Sequence, residues 1–152
     1  MVEILEESTG KDGRRVLKVA KENLVQLMKE LKSHGFVHLS LITGIDRKDR
    51  LEVVYHLQNL EKNEYIAVKT ETLDERVPSV TSVFTSANWD EREQYDLMGI
   101  VFEGHPNLKR LFLPESWVGH PLRKNYDISK VQYINMDENG EDYATFDPGD
   151  GW

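Results

Sequence analysis

The chain has 152 residues, the length of one domain, and carries 27 acidic against 19 basic side chains, a net charge of -8. That field repels phosphate and argues against nonspecific nucleic-acid binding. With no cysteine, the polypeptide can hold no disulfide, no zinc–thiolate site and no cysteine-ligated iron–sulfur cluster of its own.

Along the chain, no apolar run approaches the roughly 20 residues of a membrane span. The opening stretch MVEILEESTGKDGRR lacks the apolar core of a secretory signal, so the cytoplasm is the expected address. Residues 2–7 read as a short strand broken by STGKDG. From Lys21 to Gly35 the pattern is helical: Leu24, Leu27, Met28 and Leu31 fall at i, i+3, i+4 and i+7. Gly35 suits the position after the helix.

Three strand-like runs follow. Residues 36–42 alternate, with Val37, Leu39 and Leu41 expected on one face. Residues 51–58 put Leu51, Val53, Tyr55 and Leu57 on one face, and residues 64–71 form a third run. Short polar links at 46–49 and 59–63 suit hairpins. His38 and His56 fall opposite the apolar rows, as ordinary half-exposed strand residues. The fold class expected is α+β: an N-terminal helix on a mainly antiparallel sheet, then a charged helix, Pro-rich turns and an extended acidic C-terminal arm. Residues 1–125 form the domain and 126–152 the arm.

The charged helix is expected over NWDEREQYDLMG, with Asn88 as N-cap, Glu91 at N3 in a capping-box variant, and Gly99 closing it. Trp89, Arg92, Glu93 and Asp96 share one stripe. Beyond it, Gly-His-Pro occurs twice, at Gly104–Pro106 and Gly119–Pro121, each copy followed by a basic pair: Lys109 with Arg110, and Arg123 with Lys124. Three readings compete for this constellation. One is a metal- or anion-dependent enzyme using Glu93, Asp96, His105 and His120, whose donors suit zinc, manganese or iron. No pair of these residues has the spacing that puts two strong ligands on one helix. The second is carboxylate–histidine acid–base catalysis, for which neither a nucleophile motif nor a Gly-rich phosphate loop is present. The third is an interaction surface, because Trp and Arg are favoured interface anchors; its cations either dock an acidic partner or clasp acids of the same chain.

The last 27 residues carry seven acids and one lysine, a net of -6. They also hold Tyr126, Ile128, Val131, Tyr133, Ile134, Tyr143, Phe146 and Trp152. A purely solvating tail is poor in aromatics, so this one is expected to lie against something.

The stretch RVPSVTSVFTSANWDEREQYDLMGIVFEGHPNLKRLFLPESWVGHPLRKNY (76–126) resembles the signature region of the 30 kDa subunit of respiratory complex I. The carrying residues are Glu91, Arg92, Glu93, Asp96, Gly99, Ile100, Phe102, Gly104, His105, Pro106, Lys109, Arg110, Gly119, Pro121, Arg123 and Lys124. The resemblance implies a scaffold subunit with no cofactor and no catalytic residue. It implies packing on the hydrogenase-large-chain-like (49 kDa-type) subunit and near an iron–sulfur subunit, with the clusters on those partners. It implies a peripheral place on the cytoplasmic side of the membrane. Homologues occur in NADH/quinone-type complexes and in membrane-bound [NiFe] hydrogenase-type and ferredoxin-dependent relatives. The same residues, with Trp89 and His120, are then family-signature or subunit-interface positions.

Overall fold

The computed structural model describes residues 2–150, apart from the side chain of Asp150. Trp152, counted above among the apolar residues of the tail, lies outside the described residues. Two strands come first, β1 (Glu6–Thr9) and β2 (Arg15–Lys18). The strand expected at 2–7 is thus displaced towards Thr9, and the four residues of β2 alternate too briefly to stand out in the sequence. After a 3-10 turn at Lys21–Asn23 comes α1 (Leu24–Ser33). Three long strands follow: β3 (His38–Asp46), β4 (Leu51–Asn59) and β5 (Glu64–Thr72). With β1 and β2 they make a mixed five-stranded sheet of order β1-β2-β5-β4-β3, antiparallel except where β2 runs parallel to β5.

The helix α1 buries the expected stripe, Leu24, Leu27, Met28 and Leu31. Each fully buried leucine contributes about 1.5–3 kcal/mol over its exposed state. The helix stops in a Schellman motif. Gly35, at φ 95°, donates to Lys32 O, and Phe36 N–H returns to Leu31 O. On β4 all four expected residues, Leu51, Val53, Tyr55 and Leu57, are buried.

On β3 the expected row is broken. Leu39 is buried, but Val37 and Leu41 are exposed and Ile42 takes the inward place. Leu39 pairs with Leu57 and Leu41 with His56, so Ser40 is an extra residue, a β-bulge that its hydroxyl closes by donating to His56 O at 3.1 Å. One inserted residue reverses the face of everything after it.

The chain then crosses through β6 (Arg76–Pro78) to α2 (Ala87–Met98) and β7 (Val101–Glu103), which pairs parallel with β6. The helix begins at Ala87, one residue before the expected N-cap Asn88, and no side chain caps it. Gly99 ends it as expected, at φ 73°, with its N–H on Tyr95 O. It packs on β3, the sheet's edge strand. There the Gln94 amide accepts Gly44 N–H (2.9 Å) and donates to Ile42 O (3.3 Å). One side chain thereby occupies edge groups that would otherwise invite another strand.

Residues 104–131 run as turns. The stretch expected to be an extended arm contains a hairpin of β8 (Gln132–Met136) and β9 (Asp142–Phe146). Its loop has Gly140 at φ 80°, and the Asp137 carboxylate accepts the N–H groups of Asn139 and Glu141. Glycine thus takes the left-handed position of the hairpin loop. A clip joins hairpin to body: Gln132 donates to Val118 O (2.6 Å) and accepts Val118 N–H (2.9 Å). Gly140→Val forces a β-branched residue into a left-handed conformation, at a cost of about 1–2 kcal/mol. It should abolish the cross-strand NOEs between Tyr133 and Thr145 while leaving the melting temperature of the main sheet unchanged.

Candidate functional site

The helix α2 has a polar sequence, ANWDEREQYDLM, yet Glu91, Gln94 and Asp96 on it are buried. Burying such groups is costly unless each finds hydrogen bonds, and each finds backbone from a different segment. Gln94 holds β3, as above. Glu91 takes Val80 N–H and the Ser79 hydroxyl, both at 2.7 Å. It does not reach back to its own helix start, so the capping box expected for it is not formed. The strap between β6 and α2 is a better partner because it needs a buried acceptor.

Asp96 is fully buried. Its Oδ2 accepts three consecutive amides, Leu111 (3.1 Å), Phe112 (2.7 Å) and Leu113 (3.0 Å). Its Oδ1 pairs with Arg110 Nη1 at 2.9 Å. Burial pushes this carboxyl up, but the three amides and Arg110 outweigh it and hold it below the ordinary range. Arg110 reaches onward: its Nη2 donates to Trp117 O (2.9 Å) and Gly119 O (3.0 Å). One carboxylate and one guanidinium therefore fix residues 110–119 against α2.

The two Gly-His-Pro turns hang on the same helix in the same way. His105 Nε2–H donates to Asn88 O at 3.0 Å, while its Nδ1 accepts Asn107 N–H. His120 Nδ1–H donates to Asp96 O at 2.9 Å. A carbonyl only accepts, so each ring carries its proton on the nitrogen facing the helix. Gly104 (φ 85°) and Gly119 (φ 92°) take conformations that side chains resist. Gly99 must also be glycine because the His120 ring rests on it: a Cβ there would stand 2.6 Å from His120 Cδ2.

Of the two expectations for the basic pairs, a docking patch or a clasp on acids of the same chain, the arginines follow the second. Lys109 and Lys124 are exposed, but Arg110 and Arg123 turn inward, with side chains 8% and 16% exposed. Arg123 Nε donates to Met98 O and its Nη2 pairs with Glu75 at 2.8 Å. Lys124 N–H donates to Asp46 (2.9 Å), and this amide, with that of Lys48, holds the Asp46 carboxyl low. The stripe on α2 also divides. Asp96 is inside, Glu93 half-buried, and Trp89 60% exposed under the Arg92 guanidinium, 4.9 Å from the ring centre. Arg92 itself donates to Lys109 O and Arg110 O.

The ligand set Glu93, Asp96, His105 and His120 does not converge. The two imidazoles attach to carbonyls eight residues apart, about 12 Å along a helix axis. Both oxygens of Asp96 are already taken by donors. No group of three such side chains among the described residues is placed to hold a metal ion. Among what α2 and its wrapping present outward are four large apolar side chains, Trp89, Phe112 (64% exposed), Val118 and Leu122 (57%), beside the exposed Lys109, Glu115 and Lys124. Sequence reading passed over Glu75, Asp46, Gln94 and Phe112. The first three lie far in sequence from the groups they hold.

Residues 17–132 match the family described as respiratory-chain NADH dehydrogenase, 30 Kd subunit. The chain belongs to this 30 Kd subunit family. Its relatives include an NADH-quinone oxidoreductase subunit of Neorickettsia sennetsu (strain ATCC VR-367 / Miyayama), 37% identical over 92% of this chain and 84% of that one. Other curated relatives are longer: the chain spans 66% of one, from Sinorhizobium medicae (strain WSM419), and 23% of another, from Proteus mirabilis (strain HI4320). Among solved structures it resembles a trypsin-resistant fragment of Nqo5 (35% identity, TM-score 0.63, 68% of this chain and 89% of that one). It also resembles a chain of the archaeal membrane-bound sulfane sulfur reductase (29%, TM-score 0.71, 81% and 77%). The matched span contains α2 and both Gly-His-Pro turns, so the wrapped helix lies inside the family domain. No helix among the described residues is long and apolar enough to cross a membrane.

Asp96→Ala would strand Arg110 and three amides together. We expect a loss of about 3–5 kcal/mol, read as a lowered urea midpoint, with Asp96→Asn losing less because one carbonyl oxygen remains.

Proposed function

We propose that this 30 Kd family chain is a noncatalytic scaffold subunit of a complex I-like membrane oxidoreductase. In this reading it packs on the hydrogenase-large-chain-like (49 kDa-type) subunit, beside an iron–sulfur subunit, in the peripheral arm on the cytoplasmic side. The observation that carries it is the fate of the signature side chains. Asp96, His105, His120, Arg110 and Arg123 are each used to hold backbone, which leaves no convergent set of free reactive groups among them. Their common product is a rigid surface with Trp89, Phe112 and Leu122 outward. Rigid aromatic anchors suit a permanent interface. The chain carries no cofactor in this reading, and the iron–sulfur clusters sit on its partners.

The relatives named as NADH-quinone oxidoreductase subunits support the class, and the likeness to the sulfane sulfur reductase supports its breadth. The donor and acceptor of the complex are properties of the partners. Residues 126–152 serve as a second point of attachment to the same assembly, distinct from the domain at 1–125. The hairpin and the turn before it leave Ile128, Tyr133, Met136 and Tyr143 exposed, and an acidic hairpin with outward rings gains by burial against a basic surface. The trypsin-resistant fragment (1-134) of Nqo5 is in keeping with a body that stands without such an attachment.

Assembly tests the reading. A tagged chain drawn from native membranes should bring the large-chain-like and iron–sulfur subunits with it. Phe112→Ala and Trp89→Ala should weaken that recovery at least about tenfold while leaving the isolated chain folded, since these rings lie outside its core. Lys62→Ala should change nothing. Full recovery with both aromatic variants would contradict the assignment of the surface.

A further inference from the structure

The surface just described makes no use of Glu91, although it is the one glutamate with no exposed area in the core. Its Oε1 accepts Val80 N–H and its Oε2 accepts the Ser79 hydroxyl. The contacts continue outward. Ser79 Oγ lies 2.8 Å from Thr81 Oγ1, and either hydroxyl can donate. Ser79 is 7% exposed, Thr81 is half-buried, and Ser82 beyond it is open to water. A carboxyl without solvent contact is thus joined to the surface through two hydroxyls in hydrogen-bonding sequence.

We propose that Glu91, Ser79 and Thr81 form a proton relay, through which the buried carboxyl exchanges a proton with solvent and makes the seating of α2 on its strap responsive to pH. Every atom has a partner in both states. With Glu91 ionised, Thr81 donates to Ser79 and Ser79 donates to Oε2. To load the site, a hydronium ion gives a proton to Thr81 Oγ1, Thr81 passes its own to Ser79 Oγ, and Ser79 passes its own to Oε2. The two hydroxyls end reversed, Glu91 becomes a donor, and one water is left outside. Unloading retraces the path. Val80 N–H stays on Oε1 throughout, so the exchange needs no movement of the backbone.

The surroundings suit a proton that comes and goes. Burial pushes the Glu91 carboxyl up to about 7, against the pull of the Ser79 and Val80 bonds and with the help of the Asp90 charge beside it on α2. From β4 the buried phenol of Tyr55 faces this charge. Its own ionisation is driven far up, first by burial and then by the Glu91 carboxylate, so it stays neutral. The strap at 79–86 contributes only hydroxyls and amides. The sign of the linkage follows. A carboxyl raised from the ordinary 4.5 to about 7 binds its proton more tightly in the folded chain. Its contribution to stability is fully present below 4.5 and is lost as the pH rises through 7.

Infrared spectroscopy of the full chain tests both the site and the route. The expected result is a protonated-carboxyl C=O band that disappears with a midpoint near 7 and is missing in Glu91→Gln. That variant should also lose the fall in stability over the same interval. Ser79→Ala, which removes a donor to the ionised form, should raise the midpoint by about one unit. Thr81→Val should leave the midpoint in place but slow the isotope shift of the band on transfer to D2O. A wild-type midpoint near the ordinary 4.5 would overturn the site. Equal isotope-shift rates in wild type and Thr81→Val would overturn the relay. Neither of these outcomes depends on Glu91→Gln being folded.

Discussion

Asp96 is a carboxylate with no exposed area, and a buried charge must be met by donors or it will not stay charged. It is met by three successive amides and a guanidinium, all from residues 110–113. Most of what distinguishes the second half of the fold follows. Segment 110–113 is pinned on α2, Arg110 is thereby aimed at Trp117 and Gly119, and the second Gly-His-Pro turn arrives where His120 can reach Asp96 O. Irregular backbone from Gly104 to Tyr126 is held in one arrangement largely by hydrogen bonds, with Leu108 packed against the core. That explains how a long stretch with little secondary structure can present a fixed surface.

Such a surface is a reasonable product for a subunit whose work is attachment. The repeated Gly-His-Pro, which suggests metal chemistry when read as letters, is two instances of one fastening: a glycine that permits the turn, a histidine that donates to a helix carbonyl, and a proline that limits the exit path. The two instances grip α2 near its two ends. Trp89 and Phe112 are among the exposed residues of this region, and their rings gain nothing from exposure in the isolated chain.

Legibility in the sequence followed the range of the interactions. The stripe of α1, its Gly35 stop, the inward row of β4 and the Gly99 end of α2 depend on neighbours within a few residues, and each could be read. The β3 row could not, because the bulge at Ser40 is visible only once Leu39 and Leu41 are paired with Leu57 and His56. Which of the four cations dock outward and which clasp acids of the chain could not be read for a related reason. Arg110 and Arg123 look alike on paper to Lys109 and Lys124, yet their forked heads find Asp96, Glu75 and carbonyls across the fold. The hairpin at 132–146 did carry a signal, Asn139-Gly140 between two alternating runs. It was masked by the acidic composition of the stretch. Asp96 stood out as a site residue, but its role needed the fold, since nothing local says that a helical aspartate will collect amides fifteen to seventeen residues away.

Hydrogen exchange at the Leu111, Phe112 and Leu113 amides measures this central arrangement directly. These amides lie in no helix or strand, so only their bonds to Asp96 can protect them. The account predicts protection comparable to the amides in the middle of α2. Exchange as fast as in the open turn around Asn125 would contradict it.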